Sequence, residues 1–399
     1  MRALRITIAC IPAFAVLVFI GVKLSARHGR TNARTTVENN LIVHEWGTFT
    51  SIAGKDGVAL EWRPLNGPTD LPKFVHTIQE GDAGLRNAAK ADLTAAVRME
   101  TPVIYFYSNN EVDVSVKVDF PKGKITEWYP QARLVRTGIN WGRFKVTPGA
   151  SLNLPVEFSA SHYFAARETD SAPVQVCRTD GKPAQQEKFL FYRGVGTFDL
   201  PISVKLAGNS ILLKNLSQNE IVRLIVFENR GGQIGYRVLD AFTGETTSDR
   251  PTLDGNIDLL ISELKKTLLT SGLYEKEADA MIKTWRSSWF EEGVRVFYVL
   301  PRETTDTVLP IAIDPKPTQL VRVLVGRAEV ITPEMEKSVQ GQVGMLSDPK
   351  ARGKAILAIR KYGRFSEPIL KRILITEKDP IVRDLIRQLI DHVADKAES

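Results

Sequence analysis

The chain has 399 residues, of which 43% are hydrophobic and 25% are charged. These proportions are typical of a folded globular protein and exclude a collagen, a disordered tail and a polytopic membrane protein. Six of the 53 Lys and Arg residues lie in residues 1–34, which contain no acid, so the remainder holds 47 basic against 46 acidic residues. Because a nearly neutral body offers no basic face, we expect no nucleic-acid partner.

Residues 1–22 are predicted to be a signal anchor, a transmembrane helix that is not cleaved. Arg2 and Arg5 precede an apolar run at 6–22, which as a helix would span about 25 Å, the short end of a membrane span. A cleaved signal peptide is the alternative, but Leu24 is too large for a good cleavage site. The Lys and Arg count slightly favours a cytoplasmic body, whereas the short charged start favours export. We expect a single-pass inner-membrane protein, held in the membrane by its N-terminal helix, with a periplasmic (extracytoplasmic) body.

Residues 23–40 have the polar composition of a tether, and residues 41–330 are predicted to form a β-rich domain. The clearest strand is 111–120, where apolar and polar residues alternate so that one face is buried. Short apolar runs separated by Gly, Pro and Asn favour an antiparallel sandwich or barrel. The other predicted strands are 42–52, 58–63, 102–108, 125–129, 189–193, 221–228, 234–239, 294–300 and 319–325.

Helices are predicted in two places. A helical hairpin near 256–290 has apolar residues at the spacing of one helix face in both halves. Residues 331–399 are predicted to form a helical module, which Thr332 and Pro333 open as a hydroxyl cap and a proline at the first helical position. A basic run at 350–364 is typical of a solvated helix face, with an anionic-lipid or acidic-partner site as the alternative.

The helical module contains a repeat. Asp348-Pro-Lys-Ala-Arg352 recurs as Asp379-Pro-Ile-Val-Arg383, and each copy opens an apolar helical pattern. The segment resembles the HEAT family of helical repeats over about one and a half units. Because a short array of stacked helices needs a further surface to pack on, we expect these helices to pack on the β-body, and a protein-binding face is the alternative.

Four stretches of the body also carry a resemblance. They are HEWGTFTS at 44–51, ALEWRPL at 59–65, RMETPVIYFYS at 98–108 and ITEWYPQA at 125–132. Together they resemble an uncharacterised family of exported bacterial proteins, over most of residues 41–330. The resemblance brings no established activity or site, so the chemistry rests on residue types.

Motifs for common cofactors are absent from the sequence. There is no Gly-rich loop ending in Gly-Lys-Ser or Gly-Lys-Thr for nucleotide phosphates, and no Gly-x-Ser-x-Gly nucleophile elbow. His44-Glu45 is not followed by a second His at the spacing of a helical zinc site, and the single Cys of the body excludes a thiolate zinc site. We therefore predict no cofactor and no metal.

The dipeptide Glu-Trp occurs three times, where composition predicts roughly 0.4 occurrences. Neighbours in a strand point to opposite faces, so each pair can mean a buried Trp and a solvated Glu. The alternative is a carbohydrate site, in which rings stack on sugars and two carboxylates act as acid and base. A hairpin turn at 55–57 would place Glu61 opposite residues 50–52. The candidate catalytic residues are Glu45, Glu61, Glu127 and His44, and the candidate ligand-binding residues are Trp46, Trp62, Arg63, Arg98, Glu100 and Trp128.

We predict a membrane-anchored extracytoplasmic binding or interaction protein of the cell envelope, whose partner is an envelope protein or a glycan. The alternative is an envelope-polymer (glycan) hydrolase that uses carboxylates of the β-domain. A concave pocket in which two candidate acids meet a histidine would favour the hydrolase. A large exposed apolar surface would favour the binding protein.

Overall fold

The structure is a computed structural model that describes residues 40–65, 70–79, 90–157, 161–178 and 184–392. The described residues belong to one compact unit. The signal anchor predicted at 1–22 lies outside the described residues, and so does the tether predicted at 23–40 except for its last residue.

Within these ranges the chain forms eighteen strands and seven α-helices, numbered in chain order. The strands are β1 (Ile42–Ala53), β2 (His76–Thr77), β3 (Val97–Tyr107), β4 (Val112–Asp119), β5 (Gly123–Tyr129), β6 (Arg133–Val135), β7 (Gly138–Val146), β8 (Val174–Val176), β9 (Gln185–Glu187), β10 (Leu190–Gly196), β11 (Ile202–Ala207), β12 (Ser210–Asn215), β13 (Leu224–Arg230), β14 (Gln233–Leu239), β15 (Glu245–Asp249), β16 (Gly293–Val299), β17 (Ile311–Asp314) and β18 (Gln319–Val330). The helices are α1 (Ile257–Thr270), α2 (Glu275–Trp289), α3 (Arg302–Val308), α4 (Pro333–Val343), α5 (Arg352–Arg360), α6 (Ser366–Thr376) and α7 (Pro380–Asp391).

Nine strands form a mixed sheet in the order β14-β13-β16-β18-β1-β3-β10-β5-β2. Its centre is the parallel pair β1–β18, in which Ile42 lies opposite Gln319 and Ala53 opposite Val330. The other neighbouring strands of this sheet are antiparallel. Strands β17-β4-β7-β8-β9, with β6 beside β7, form a six-stranded sheet, and β11-β12-β15 form a three-stranded sheet.

The prediction of a mainly β protein with a helical hairpin and C-terminal helices is confirmed, whereas an antiparallel sandwich or barrel is not. The first and last strands of the large sheet pair in parallel at its centre. Alternation of polar and apolar residues indicates which side chains face a core, but it does not give the direction of the neighbouring strand. The central pairing is therefore a property of the tertiary structure.

Three apolar cores hold the sheets and helices together. The first lies between one face of the nine-stranded sheet and the two smaller sheets, and includes Phe49. The second lies on the opposite face and includes Trp46 together with Leu264 of α1. The third joins helices α4 to α7 and includes Trp62. Because both faces of the large sheet are covered, its central strands are buried on both sides.

Local predictions agree with the structure except at one strand. Strand β4 alternates as predicted, with Val114, Val116 and Val118 buried, and α1 and α2 form the predicted helical hairpin. The strand predicted at 58–63 is wrong, because this segment makes only isolated bridges, one of which joins Trp62 to Ala95.

The prediction of a single-pass inner-membrane protein is not supported by the helices that the structure describes. Among the described residues, no helix is both long enough and apolar enough to cross a membrane. The longest described helix, α2, has 15 residues and would reach only about 22 Å. The single-pass inner-membrane assignment is therefore withdrawn, and the segment at 1–22 on which it rested lies outside the described residues.

Side-chain caps begin two of the C-terminal helices. The Thr332 hydroxyl accepts a hydrogen bond from the backbone amide of Met335 at 3.2 Å, as predicted for the start of α4. Asp379 caps α7 by accepting from the amide of Ile381 at 2.8 Å. Asp348, the equivalent residue of the repeat, caps no helix, because α5 begins only at Arg352.

The turn after β1 is closed by a glycine. The amide of Gly57 donates to the carbonyl of Gly54 at 3.0 Å, which confirms the hairpin turn predicted at 55–57. Gly57 has a φ of +83°, and a Cβ at this position would lie 2.4 Å from Oγ of Ser203 on β11. The Ser203 hydroxyl instead donates to the Gly57 carbonyl at 3.0 Å. Glycine is therefore needed for the turn to close onto β11.

We expect Gly57→Ala to lower the free energy of unfolding by about 2 kcal/mol, through backbone strain and loss of the Ser203 hydrogen bond. The control is Gly208→Ala, because Gly208 also has a positive φ, +61°, but nothing lies within 4 Å of its Cβ position. It should cost about 1 kcal/mol. Urea denaturation of both variants, and of Gly57→Ala in a Ser203→Ala background, measures the difference. Equal losses at the two glycines would contradict the proposed close approach.

Candidate functional site

The candidate residues of β1 lie on opposite faces of the large sheet. Trp46 belongs to the core beneath α1 and α2, and His44, two residues away, contacts Glu277 of α2. Glu45 lies on the other face and contacts Tyr192 and Arg322. His44 and Glu45 therefore cannot act on one reacting group.

Glu45 is a fully buried member of an ion pair. The Tyr192 hydroxyl donates to Oε1 at 2.5 Å, and Nε of Arg322 donates to Oε2 at 2.5 Å. Nη1 of Arg322 donates a hydrogen bond to Oδ1 of Asp306 at 2.7 Å. Burial raises the pKa of Tyr192, and the Glu45 carboxylate raises it further, so the hydroxyl remains a donor. Both carboxylate oxygens are occupied, which leaves Glu45 no free atom for chemistry.

His44 forms a second buried pair on the helical side. Its Nδ1 lies 2.8 Å from Oε2 of Glu277, and the hydroxyl of Tyr107 donates to Oε1 of Glu277 at 2.8 Å. The ring of Tyr274 lies against His44 with a centroid separation of 4.4 Å. Nε2 of His44 has no hydrogen-bond partner among the described residues. Because His44 is 0% exposed, this nitrogen faces the protein interior and not a cleft.

Residues 61–63 join the β-body to the C-terminal helices. Glu61 is exposed, whereas Trp62 is buried in the third core. Arg63 donates through Nε to Glu367 of α6 at 3.4 Å and through Nη2 to the carbonyl of Ile390 of α7. These contacts indicate a structural role for Trp62 and Arg63.

The predicted inward Trp and outward Glu hold for one of the three Glu-Trp pairs. Glu61 and Trp62 follow that pattern, but Glu45 and Trp46 are both buried. Glu127 is 2% exposed and Trp128 is 8% exposed. The pattern assumes a strand with one wet face. Strands β1 and β5 lie in a sheet that is covered on both faces.

The remaining candidates belong to a band of buried charges that crosses the helical face of the large sheet. We call this set the charged band. It contains Arg98 and Glu100 on β3, Glu127 on β5, Arg193 on β10, Arg295 on β16, and Arg327 and Glu329 on β18. The sequence analysis identified Arg98, Glu100 and Glu127. It missed the others, although charged residues inside the apolar run at 319–330 were a signal for two of them.

Glu329 is the most highly paired carboxylate of the charged band. It lies 3.1 Å from Nε of Arg295, 2.9 Å from Nε of Arg327 and 2.8 Å from Nη2 of Arg364, which comes from the C-terminal module. Burial alone would raise the pKa of Glu329, but the three guanidinium groups lower it to about 2. Glu329 is therefore ionised throughout the physiological range.

The other end of the band is paired in the same way. Arg193 donates through Nη1 to Asp70 at 2.7 Å and through Nη2 at 3.1 Å. Burial alone would raise the pKa of Asp70, but Arg193 and then Arg98 lower it below its ordinary value. Glu127 contacts Nζ of Lys90. A glycosidase acid needs a raised pKa and access to substrate, and Asp70 and Glu329 are held in the opposite state.

A cleft of about 820 Å³ lies on the other face of the large sheet, toward the three-stranded sheet. Its volume falls within the range of ligand sites in proteins. One wall is formed by Val58 of the hairpin turn, and the other by Phe198 and by Ile202 and Val204 of β11. Leu216 at the cleft is 53% exposed.

The cleft exists because small side chains line the sheet at this point. Where the strands elsewhere carry Phe or Val toward this core, the cleft is bordered by Ser51, Ala53, Ala59, Ala96 and Ala328. Ser51 lies opposite Ala328 in the parallel pair. Short side chains on neighbouring strands leave space that the three-stranded sheet does not fill.

Ser51 places one polar group in the cleft. It is 3% exposed, and its hydroxyl makes no hydrogen bond to another residue in the described ranges. Lys122, Lys214 and Asp199 contribute charged groups to the same lining. An apolar space with few polar groups can bind an apolar ligand and orient it. None of the ten candidate residues from the sequence lines this cleft.

Comparisons with known proteins assign no family. No family model matches the chain, and no curated protein matches it. Among solved structures it is similar to the yeast delta-COP-I mu-homology domain, alone and complexed with a Dsl1 WxWxV peptide. In both cases the identity is 9%, the match covers 74% of this chain and 97% of the other, and the TM-scores are 0.27 and 0.28. Scores of this size assign neither a fold nor a function.

The two acids Glu45 and Glu61 form a matched test of burial. We expect Glu45→Gln to lower the free energy of unfolding by about 2–3 kcal/mol, because it removes the buried carboxylate at Nε of Arg322 and leaves that guanidinium group only Asp306. Glu61→Gln should change it by less than about 0.5 kcal/mol, since Glu61 is exposed. Urea denaturation at neutral pH measures both. A small loss for Glu45→Gln would mean that the ion pair is not formed.

Acid should weaken the charged band. A carboxylate whose pKa is lowered on folding, from 4.5 to about 2 for Glu329, adds stability above the higher value and loses it as pH falls toward the lower one. We expect the urea midpoint of the parent to fall as the pH is lowered from about 5 to about 2. Glu329→Gln should have a lower midpoint at pH 7 and a shallower fall. An identical pH dependence in the two proteins would contradict the assignment.

Proposed function

We propose that the protein is a binding protein without catalytic activity, whose cleft receives apolar side chains of a partner protein. The observation that carries this proposal is the apolar cleft of about 820 Å³ beside the exposed Leu216. The exposed apolar side chains at the cleft, Val58 and Leu216, supply the surface whose burial would stabilise a complex.

The placement of the acids argues against the alternative, a glycan hydrolase. Glycoside hydrolysis needs two carboxylates that flank the scissile bond in an open site. Glu45 faces one side of the large sheet and is paired with Arg322. Glu127 lies in the charged band on the other side, and Glu61 is exposed. No two of these three carboxylates share an open cleft among the described residues.

A protein partner fits the cleft better than a glycan does. Sugars are usually held by exposed aromatic rings on which they stack. Trp46 and Trp62 are 0% and 1% exposed, and Trp128 is 8% exposed. The cleft itself contains one aromatic ring, that of Phe198. Aliphatic side chains of a protein segment would match the remaining lining.

Selection of a displayed peptide library on the purified protein tests this proposal. The variant Ala59→Trp fills the cleft from the turn side, and Ala207→Trp places the same ring on an exposed residue of β11 that does not line the cleft. We expect peptides with apolar anchors to be enriched on the parent and on Ala207→Trp, and to be lost on Ala59→Trp.

Two results would overturn the proposal. One is enrichment that is unchanged by Ala59→Trp. The other is hydrolysis of an envelope glycan by the parent, if Glu61→Gln or Glu127→Gln abolishes that hydrolysis and leaves the unfolding midpoint unchanged. A carboxylate that only supports the fold could not be lost with this result, because its loss would lower the midpoint and would not remove a catalytic step.

A further inference from the structure

The C-terminal module has a cationic surface that the cleft does not use. Lys350 lies in the turn before α5, and Lys354, Arg360 and Lys361 lie on or directly after this helix. All four cations are exposed. Leu357 of the same helix lies between them in sequence and is 62% exposed. Residues three or four apart lie on the same side of a helix. We call these five residues the α5 face.

The cations of the α5 face are unpaired within the described part of the chain. Lys350, Lys354, Arg360 and Lys361 have no ion pair or side-chain hydrogen bond to any described residue. Some exposed lysines elsewhere are paired: Lys276, for example, lies 2.5 Å from an oxygen of Asp170. The α5 face therefore keeps its full positive charge for an external anion.

The helix dipole of α5 favours only two of the four cations. Arg360 and Lys361 lie at the C-terminal end of α5, where the helix dipole favours cations. Lys350 and Lys354 lie at the N-terminal end, where the dipole disfavours them by about 0.3–1 kcal/mol each. In the first turn of α5 no acidic residue offsets this effect. Four like charges on one surface also repel one another, so the arrangement costs stability unless an anion binds.

We propose that the α5 face binds an acidic segment of a partner protein. Carboxylates of that segment would lie against the four cations, and Leu357 would contact an apolar side chain between them. The inference goes beyond the proposed function, because no residue of the α5 face lines the cleft.

The composition of the face favours a protein over a membrane. A helix that binds at a membrane surface inserts a wide apolar side rich in Trp, Phe or Leu. The apolar side of α5 is not available for this, because Ala355 and Ile359 are buried in the third core. Leu357 alone remains on the exposed side of the helix. A single apolar residue within a ring of cations fits an acidic peptide that alternates with apolar residues.

Fluorescence anisotropy with a defined probe tests the inference on the full chain. The probe is a labelled synthetic peptide in which Asp and Glu alternate with Leu, and its matched control carries Asn and Gln instead. We expect the acidic peptide to bind and the amide peptide not to bind, with affinity that falls as salt is added. Lys354→Glu combined with Lys361→Glu should weaken binding by about tenfold or more. Leu357→Ser should weaken it by about threefold.

Matched variants separate this surface from general charge. Lys266→Glu with Lys316→Glu makes the same charge change on two exposed residues outside the α5 face, and it should leave affinity within about twofold of the parent. Lys354→Ala with Lys361→Ala removes the two positive charges without introducing negative ones, and it should also weaken peptide binding. All variants are checked for an unchanged urea midpoint. Equal loss in both lysine pairs, or equal binding of the two peptides, would overturn the proposal. Binding of phosphatidylcholine–phosphatidylglycerol vesicles or of duplex DNA through the α5 face, without peptide binding, would overturn it too.

Discussion

The ion cluster around Glu329 joins the large sheet to the C-terminal module. The carboxylate contacts Arg327 of its own strand, Arg295 of β16 and Arg364 of the C-terminal module. Since three buried guanidinium groups share one centre, the module and the large sheet cannot separate without exposing or stranding several charges. The position of the helices on the sheet, and with it the surface they present to solvent, follows from this contact.

Coverage of the large sheet on both faces explains why its acidic residues are structural. Glu45 and His44 point to opposite faces of β1 as the pleat requires. Each face is covered by other elements of the protein, so neither side chain reaches solvent. Glu45 is paired with Arg322, and the His44 ring is hydrogen-bonded to Glu277. Reactive side-chain types in a two-sided core become paired groups, because an unpaired buried charge is too costly. The cleft and the α5 face are two features of the described residues that remain open to a ligand.

The cleft and the α5 face arise in different ways. The cleft is a local lack of volume, where Ser51, Ala53 and Ala328 replace the larger residues that fill the same core elsewhere. The α5 face is a local excess of charge, because its four cations form no ion pair with a described residue. Each departs from what stability alone would select, which is the physical reason to connect both with binding. In the two proposals the cleft receives an apolar anchor of a partner and the α5 face receives an acidic segment.

Short-range patterns in the sequence determined the elements whose causes are local. The alternation in β4, the spacing in α1 and α2, the Thr332 cap and the turn at Gly57 depend on residues within one or two turns of each other. The parallel pairing of β1 with β18, the burial of Glu45 and the cleft were decided by tertiary structure. The ion pair of Glu45 joins residues 277 positions apart, and the hydrogen bond of His44 joins residues 233 positions apart. No local periodicity encodes such a partner, because burial and pairing depend on which distant surface covers a strand after the chain has folded.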